Sequence, residues 1–386
     1  MKRLSIFGAT GSIGTSSLDI VRFQPDLFQI EVLTGHSRWE ALCDLALEFH
    51  PNVVVIGKPE FYADVKTRLD KTGIIVLAGE EGLVEAAELP CDIHIAAIVG
   101  LAGLAPTFHA VKKGYTIALA NKEALVCAGD LLLHEAKVSN CTILPVDSEH
   151  NAIFQVLENK NRSAVERVIL TASGGPFRTR TRESLQDVQV SDALKHPNWS
   201  MGAKISIDSA TMANKALEMV EAVYLFNLEP KELDVVIHPQ SIVHSMVEYC
   251  DGSILAQMGA HDMRTAIGYA LNWPDRKAIG GKRLDLLQCG ELSFHDVDTQ
   301  RFPAIRMMRE IIRTDLRHGI VFNAANEIAV EAFLKQKIAF LSIEAIIGRC
   351  LDAIVPDQVK ALKDVYALDL ETRRFADDII KSERAG

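Results

Sequence analysis

The residues with the plainest chemical potential are Asp147 and Glu149, two carboxylates separated only by Ser148. They close an apolar run, Cys141 to Val146, that reads as the last buried strand of a parallel sheet. Ligands of open α/β sheets gather beyond the carboxyl ends of the strands, and an extended backbone would aim both acids to one side. Two such groups repel each other unless a proton or a cation lies between them. A hard divalent ion with oxygen ligands meets that need and leaves Ser148 to touch a substrate. The same residues also suit a strand end followed by a helix, with Ser148 as the cap and the acids at its positive end.

A second set lies in Asp208-Ser209-Ala210-Thr211-Met212-Ala213-Asn214-Lys215-Ala216-Leu217-Glu218. Ser209 reads as the N-cap of the helix that follows. Asn214 and Glu218 are four apart and share a face, with Lys215 adjacent. One helix could thus offer Asn214 and Lys215 to a phosphate and Glu218 as a third oxygen ligand, with Glu221 as the competing acid. An exposed helical charge pair would show the same spacing. Upstream, Ser173-Gly174-Gly175-Pro176-Phe177 ends a strand from Glu166 to Leu170 in a small-residue turn whose N–H groups suit an anion, or serve only as a turn. Lys195-His196-Pro197-Asn198-Trp199-Ser200-Met201-Gly202 has the makings of a lid, or of a surface loop pinned by Trp199.

These groups need a scaffold. Arg3 to Phe7 reads as a strand that enters Gly8-Ala9-Thr10-Gly11-Ser12-Ile13-Gly14 and then a helix to about Arg22. A G-x-x-G-x-x-G turn in this setting lets the backbone approach a pyrophosphate seated on the helix N-terminus. The second strand, Gln29 to Leu33, leads into Thr34-Gly35-His36-Ser37-Arg38 with no carboxylate for ribose hydroxyls. Ser37, Arg38 and His36 are instead candidates to hold a 2′-phosphate, which favours NADPH over NADH. Val53–Ile56, Ile74–Leu77, Ile93–Val99 and Tyr115–Leu119 continue a β-α alternation, predicting a doubly wound parallel sheet. Asn121, Lys122 and Glu123 follow the last of these strands, where Lys122 could meet ligand charge or simply begin a helix. Val235–Pro239, Ile242–Tyr249 and Ser253–Met258 predict a smaller mixed or antiparallel sheet that could serve a dimer contact. From Arg301 onward the pattern is helical, with apolar spacing in Phe322–Leu334 and Ile343–Leu351.

The 386 residues suit two or three domains. A formal charge of -10 argues against a nucleic-acid or anionic-membrane partner, so an anionic substrate must be met by local donors. The seven cysteines show no paired metal spacing and fall in apolar segments, as reduced intracellular thiols do. The longest apolar stretch, Ile93 to Pro106, is broken by Gly100 and Gly103, and no transmembrane helix is expected. With the first strand at about Arg3, no leader is expected ahead of it.

Together these segments resemble the 1-deoxy-D-xylulose 5-phosphate reductoisomerase family over essentially the whole chain. The resemblance runs through Gly8–Gly14, Ala120–Glu123, Pro145–Gln155, Ser173–Phe177, His196–Gly202, Asp208–Ala222, His238–Glu248 and Asn323–Val330. It implies an α/β fold with an N-terminal Rossmann-like domain (1–147), a central α+β catalytic domain (148–275), a linker (276–298) and a C-terminal helical bundle (299–386). It also implies a cytoplasmic homodimer that uses NADPH and Mg²⁺, Mn²⁺ or Co²⁺ to convert 1-deoxy-D-xylulose 5-phosphate to 2-C-methyl-D-erythritol 4-phosphate. By the same resemblance Asp147, Glu149 and Glu218 hold the metal. Ser148, Ser173, Ser209, Asn214 and Lys215 meet the substrate, and His196, Trp199 and Met201 form the lid. Thr10, Gly11, Ser12, Ile13, Asn121, Glu123 and Met263 match cofactor contacts, to which Gly35, Lys122, Met201 and Gly202 are added. Lys215, Glu149 and His196 are the candidate proton relays. Gly35-His36-Ser37 stands where the family's commoner G-[KS]-N runs. Two readings compete: a metal-free NADP dehydrogenase of the semialdehyde type, which needs a catalytic Cys or a His/Lys pair, and a non-catalytic nucleotide sensor.

Overall fold

The computed structural model describes residues 1–195 and 202–385. It divides into two compact units whose chain segments interleave. The first comprises Met1–Ala124, Leu132–Asn151 and Asp262–Lys282; the second comprises Leu125–Leu131, Ala152–His261 and Arg283–Gly386.

The first unit is built on a seven-stranded sheet: β1 (Lys2–Phe7), β2 (Phe28–Gly35), β3 (Val53–Ile56), β4 (Ile75–Ala78), β5 (Ile93–Ala96), β6 (Thr116–Leu119) and β7 (Ile143–Pro145). The order is β4-β3-β2-β1-β5-β6-β7, and every pairing is parallel. Apolar runs such as Val53–Ile56 are buried along their whole length, as expected of strands covered on both faces. The order reverses direction between β1 and β5, in register from Leu4↔Ile93 to Phe7↔Ala96. Such a switch point opens a crevice at the strand ends, where ligands of this architecture bind. The helix Lys122–Ser139 leaves helical geometry at Ala128 (φ −143°, ψ 27°), within the stretch Leu125–Leu131 that belongs to the second unit.

The second unit carries a four-stranded sheet, β8 (Val165–Ala172), β9 (Leu233–Ile237), β10 (Val243–Tyr249) and β11 (Ile254–Met258), ordered β11-β10-β8-β9. It is mixed: β8 runs parallel to β9 and antiparallel to β10. Its core joins Val168 and Leu170 to buried residues of the helices Ala213–Phe226, Pro303–Thr314, His318–Leu334 and Ser342–Ala353. Phe340 anchors that core, edge-on to Phe177 at 5.2 Å and to Phe333 at 5.6 Å. Among the described residues no helix is long and apolar enough to cross a membrane.

Candidate active site

In the first unit, the glycine turn follows β1 as expected, and backbone crowding explains its composition. A Cβ on Gly8 (φ +99°) would lie 2.5 Å from the Ala97 carbonyl oxygen, and one on Gly14 would lie 2.4 Å from that of Gly8. The turn is tied to β2 by Ala9 N–H donating to the Thr34 carbonyl at 2.7 Å and Gly8 N–H donating to Thr34 Oγ1 at 2.9 Å. The helix Ser12–Phe23 opens there with no side chain capping it and no acid in its first turn. Its leading N–H groups, those of Ser12 and Ile13 among them, are therefore available to an anion. Arg38, expected beside a 2′-phosphate, donates from Nη2 to the Thr10 carbonyl. That contact places the only cation of the Gly35–Arg38 segment against the turn. His36, Ser37 and Arg38 are exposed, and Gly35 ends β2.

Asn121 is buried: its Oδ1 accepts from Ala124 N–H at 3.1 Å, capping the helix, and its Nδ2 donates to the Gly100 carbonyl at 3.0 Å. Lys122 forms an ion pair with Asp147, both side chains largely covered. Glu123 is buried, and Met263 stands at the N-cap of the helix Arg264–Asn272.

The strand bearing the acids ends at Pro145, and a helix begins at Ser148. The geometry that aims Asp147 and Glu149 is thus a strand end plus a first helical turn, which corrects the extended-backbone expectation. Side-chain oxygens of the two still approach within 4.8 Å. Ser148 Oγ donates to Glu149 Oε2 at 2.6 Å, and Asn151 N–H donates to the Asp147 carbonyl at 2.8 Å, fixing the turn.

The second unit gathers the other candidates. Ser209 is not an N-cap: it lies in the last turn of the helix Ala203–Thr211. Met212 (φ +64°) then breaks the helix, and a new one starts at Ala213. The reading failed because a left-handed methionine leaves no mark in a sequence that otherwise has helical spacing. The break nevertheless puts Asn214 and Lys215 in a first helical turn, near its positive end. Asn214 Nδ2 donates to Glu218 Oε1, and Lys215 Nζ pairs with Glu218 Oε2. The Lys215 and Glu218 side chains are only 4% and 1% exposed. A buried carboxylate of this kind requires such partners. Glu221, the competing acid, is also fully buried.

Ser173 follows β8, and its Oγ accepts from Gly175 N–H at 3.1 Å. Gly175 (φ +65°) abuts Ser209, since a Cβ there would lie 2.5 Å from the Ser209 carbonyl oxygen. The turn at Ser173 and the helix end at Ser209 are therefore packed backbone against backbone. Gly202 is the N-cap of the helix Ala203–Thr211. His196, Trp199 and Met201 lie outside the described residues. Sequence reasoning attached no role to Asp208, Lys204 or Asn326, yet Asp208 is 1% exposed and held by Lys204 Nζ at 2.8 Å and Asn326 Nδ2 at 2.9 Å. The only forward signal was a polar Asn323-Ala324-Ala325-Asn326-Glu327 run within an apolar helix.

A doubly wound sheet with an open phosphate turn, paired acids beyond one strand, and a buried Lys–Glu pair bonded by Asn214 define a dinucleotide-dependent enzyme acting on a phosphorylated substrate. Comparison with known proteins agrees. Models of the 1-deoxy-D-xylulose 5-phosphate reductoisomerase family match residues 4–129 and, for its C-terminal domains, 143–226 and 258–375. The 1-deoxy-D-xylulose 5-phosphate reductoisomerase of Rhodospirillum centenum is 47% identical, covering 100% of this chain and 96% of its own; that of Rhizobium johnstonii is 50% identical over 98% and 96%. A crystal structure of DOX-P reductoisomerase in complex with NADPH, fosmidomycin and magnesium superposes with a TM-score of 0.95 at 44% identity, covering 100% of both chains. The Zymomonas mobilis enzyme in complex with NADPH gives 0.93 at 44% identity, covering 98% of each. The chain belongs to the 1-deoxy-D-xylulose 5-phosphate reductoisomerase family.

Proposed function

We propose that this chain rearranges 1-deoxy-D-xylulose 5-phosphate to a branched aldehyde and reduces it with NADPH to 2-C-methyl-D-erythritol 4-phosphate. The observation that carries this reading is the buried Lys215–Glu218 pair, bonded by the half-buried Asn214, at a helix N-terminus. A simple dehydrogenase has no use for it, whereas a metal-assisted rearrangement of a sugar phosphate needs both its donors and its acid.

The residues present fit both implied groups. A turn with no room for a Cβ at Gly8 or Gly14 and an uncapped helix start suit the pyrophosphate of NADPH, and Arg38, bonded to the Thr10 carbonyl, would meet a 2′-phosphate. The remaining cofactor contacts in this reading are Gly11, Ser12, Ile13, Gly35, His36, Ser37, Asn121, Lys122, Glu123, Met201, Gly202 and Met263. Asp147, Glu149 and Glu218 offer hard oxygen donors to Mg²⁺, Mn²⁺ or Co²⁺. When bound, the ion supplies Lewis-acid polarisation of neighbouring substrate oxygens, and NADPH supplies the hydride.

The chain's own groups do the rest. Ser173, Ser209, Asn214 and Lys215 bind the phosphate, a remote contact whose energy helps orient the reacting carbons. Ser148 and Lys215 hold the substrate hydroxyls, and Glu149, Lys215 and His196 hold or move protons. His196, Trp199 and Met201 close over the substrate and exclude water. In this reading residues 1–147 serve the cofactor, 148–275 catalysis, 276–298 connection and 299–386 support. The reading includes a cytoplasmic location and a homodimer, and the exposed apolar side chains of the edge strand β11, Ile254, Leu255 and Met258, accord with the dimer.

The test is NADPH oxidation in the presence of 1-deoxy-D-xylulose 5-phosphate, with EDTA and then with added Mn²⁺. Turnover abolished by EDTA and restored by Mn²⁺ is expected. Turnover indifferent to EDTA, or no turnover with this substrate, would overturn the reading.

A further inference from the structure

The run Asn323-Ala324-Ala325-Asn326-Glu327 has no part in the chemistry above, yet it places two amides in the core of the second unit. The helix His318–Leu334 that carries it buries Ile320, Val321, Phe322, Ala324, Ala325, Ala329 and Val330. Asn326 is fully buried among them, and its Oδ1 has no hydrogen-bond partner among the described residues. An apolar side chain would be the more stable choice at such a position. What asparagine adds is one N–H, and it points at Oδ1 of Asp208, 2.9 Å away and 118 positions earlier in the chain.

Asp208 sits one residue before Ser209. Its other oxygen pairs with Lys204, one turn back on the same helix, at 2.8 Å. Its carbonyl accepts from Thr211 Oγ1 at 3.2 Å, so the carboxylate and the backbone of this last turn are both tied down. Beyond Ser209 lies Gly175, whose backbone packs closely against the Ser209 carbonyl and so joins this helix end to the turn bearing Ser173. A displacement of Asp208 would therefore move Ser209 and press on the turn at Ser173.

We propose that Asn326 is a positioning residue that sets the Ser209 hydroxyl, and through it the phosphate pocket, by holding the buried carboxylate of Asp208. The proposal rests on the reading that Ser209 and Ser173 bind the substrate phosphate. It assigns the C-terminal helices a part in substrate affinity through this single contact.

The experiment measures KM and kcat for 1-deoxy-D-xylulose 5-phosphate, NADPH affinity by fluorescence, and thermal unfolding. The variants are Asn326→Leu, Asp208→Asn, Ser209→Ala and the exchanged pair Asp208→Asn/Asn326→Asp, which keeps shape and net charge. Asn326→Leu should raise KM about tenfold, the effect of one lost hydrogen bond to a charged group, with kcat and NADPH affinity nearly unchanged. The exchanged pair should recover most of the affinity that Asp208→Asn loses, an outcome that mere fold support does not predict. An Asn326→Leu enzyme with unaltered KM, or an exchanged pair no better than Asp208→Asn, overturns the proposal. Should Asn326→Leu fail to fold, the exchanged pair decides alone. If Ser209→Ala leaves KM unchanged, the phosphate assignment fails and this inference with it. If Ser209→Ala raises KM while Asn326→Leu does not, only this inference fails.

Discussion

In the proposed function, Glu218 is the residue on which most of the chemistry turns. Its carboxylate is buried and bonded to Asn214 and Lys215, so removing its charge leaves Lys215 a buried cation without its anion, a change worth roughly 3–5 kcal/mol. Glu218→Gln keeps the shape and one oxygen for Asn214. It should lower turnover by about two orders of magnitude or more while NADPH affinity stays the same. Equal loss of both would assign Glu218 to folding. Arg38 is tested by cofactor choice. Under the proposed role of Arg38 at the 2′-phosphate, Arg38→Ala should weaken NADPH more than NADH; an unchanged ratio would remove Arg38 from cofactor selection. Residue types were legible at both places, since an acid four positions after an asparagine and a basic residue replacing an acid after β2 are visible in any sequence. The partners were not. Lys122 pairing with Asp147, Arg38 reaching the Thr10 carbonyl, and Asn326 reaching Asp208 are long-range contacts with no local pattern.

At the scale of elements, the strands were readable to within a few residues because buried parallel strands are unbroken apolar runs. The helix boundary at Met212 was not, since its positive φ follows from packing and not from residue type. The glycine turn makes a direct prediction. Gly14→Ala puts a methyl 2.4 Å from the Gly8 carbonyl oxygen and 2.5 Å from Ala9 Cα, both backbone atoms that cannot step aside. The turn must open, and NADPH affinity should fall by at least about tenfold, the low end of an overpacking penalty; calorimetric titration with unchanged affinity would contradict this. The helix Ser342–Ala353 offers a second test. Burial raises the Glu344 carboxyl from 4.5 to about 7, only partly opposed by Arg182, 3.4 Å away. The folded chain thus binds this proton more tightly than the unfolded chain, and stability declines as pH rises from 4.5 to about 7. Glu344→Gln should therefore stabilise more at pH 8 than at pH 5, by roughly 2–3 kcal/mol between the two. Denaturant unfolding at both values checks it, and an equal shift at both would contradict it.

For the whole molecule, the alternation of strands and helices announced a doubly wound sheet, and the later short strands a second, mixed one. The interleaving of the units is another matter. Leu125–Leu131 belongs to the second unit although it lies inside a helix that starts and ends in the first, and Asp262–Lys282 returns to the first. The crossings at Ala124/Leu125 and Leu131/Leu132 fall inside one helix and carry no linker composition, whereas the return at Lys282/Arg283 falls in coil just after Gly280-Gly281. A consequence is that neither unit is a contiguous segment that could be cut out as such.

The proposed metal site is most directly tested by crystals of the chain grown with Mn²⁺, NADPH and fosmidomycin and measured for anomalous scattering. One strong manganese peak is expected, with carboxylate oxygens of Asp147, Glu149 and Glu218 each about 2.0–2.3 Å from it, the range for a hard divalent ion. No peak among these three side chains, or a peak held by Glu221 in place of Glu218, would contradict the account.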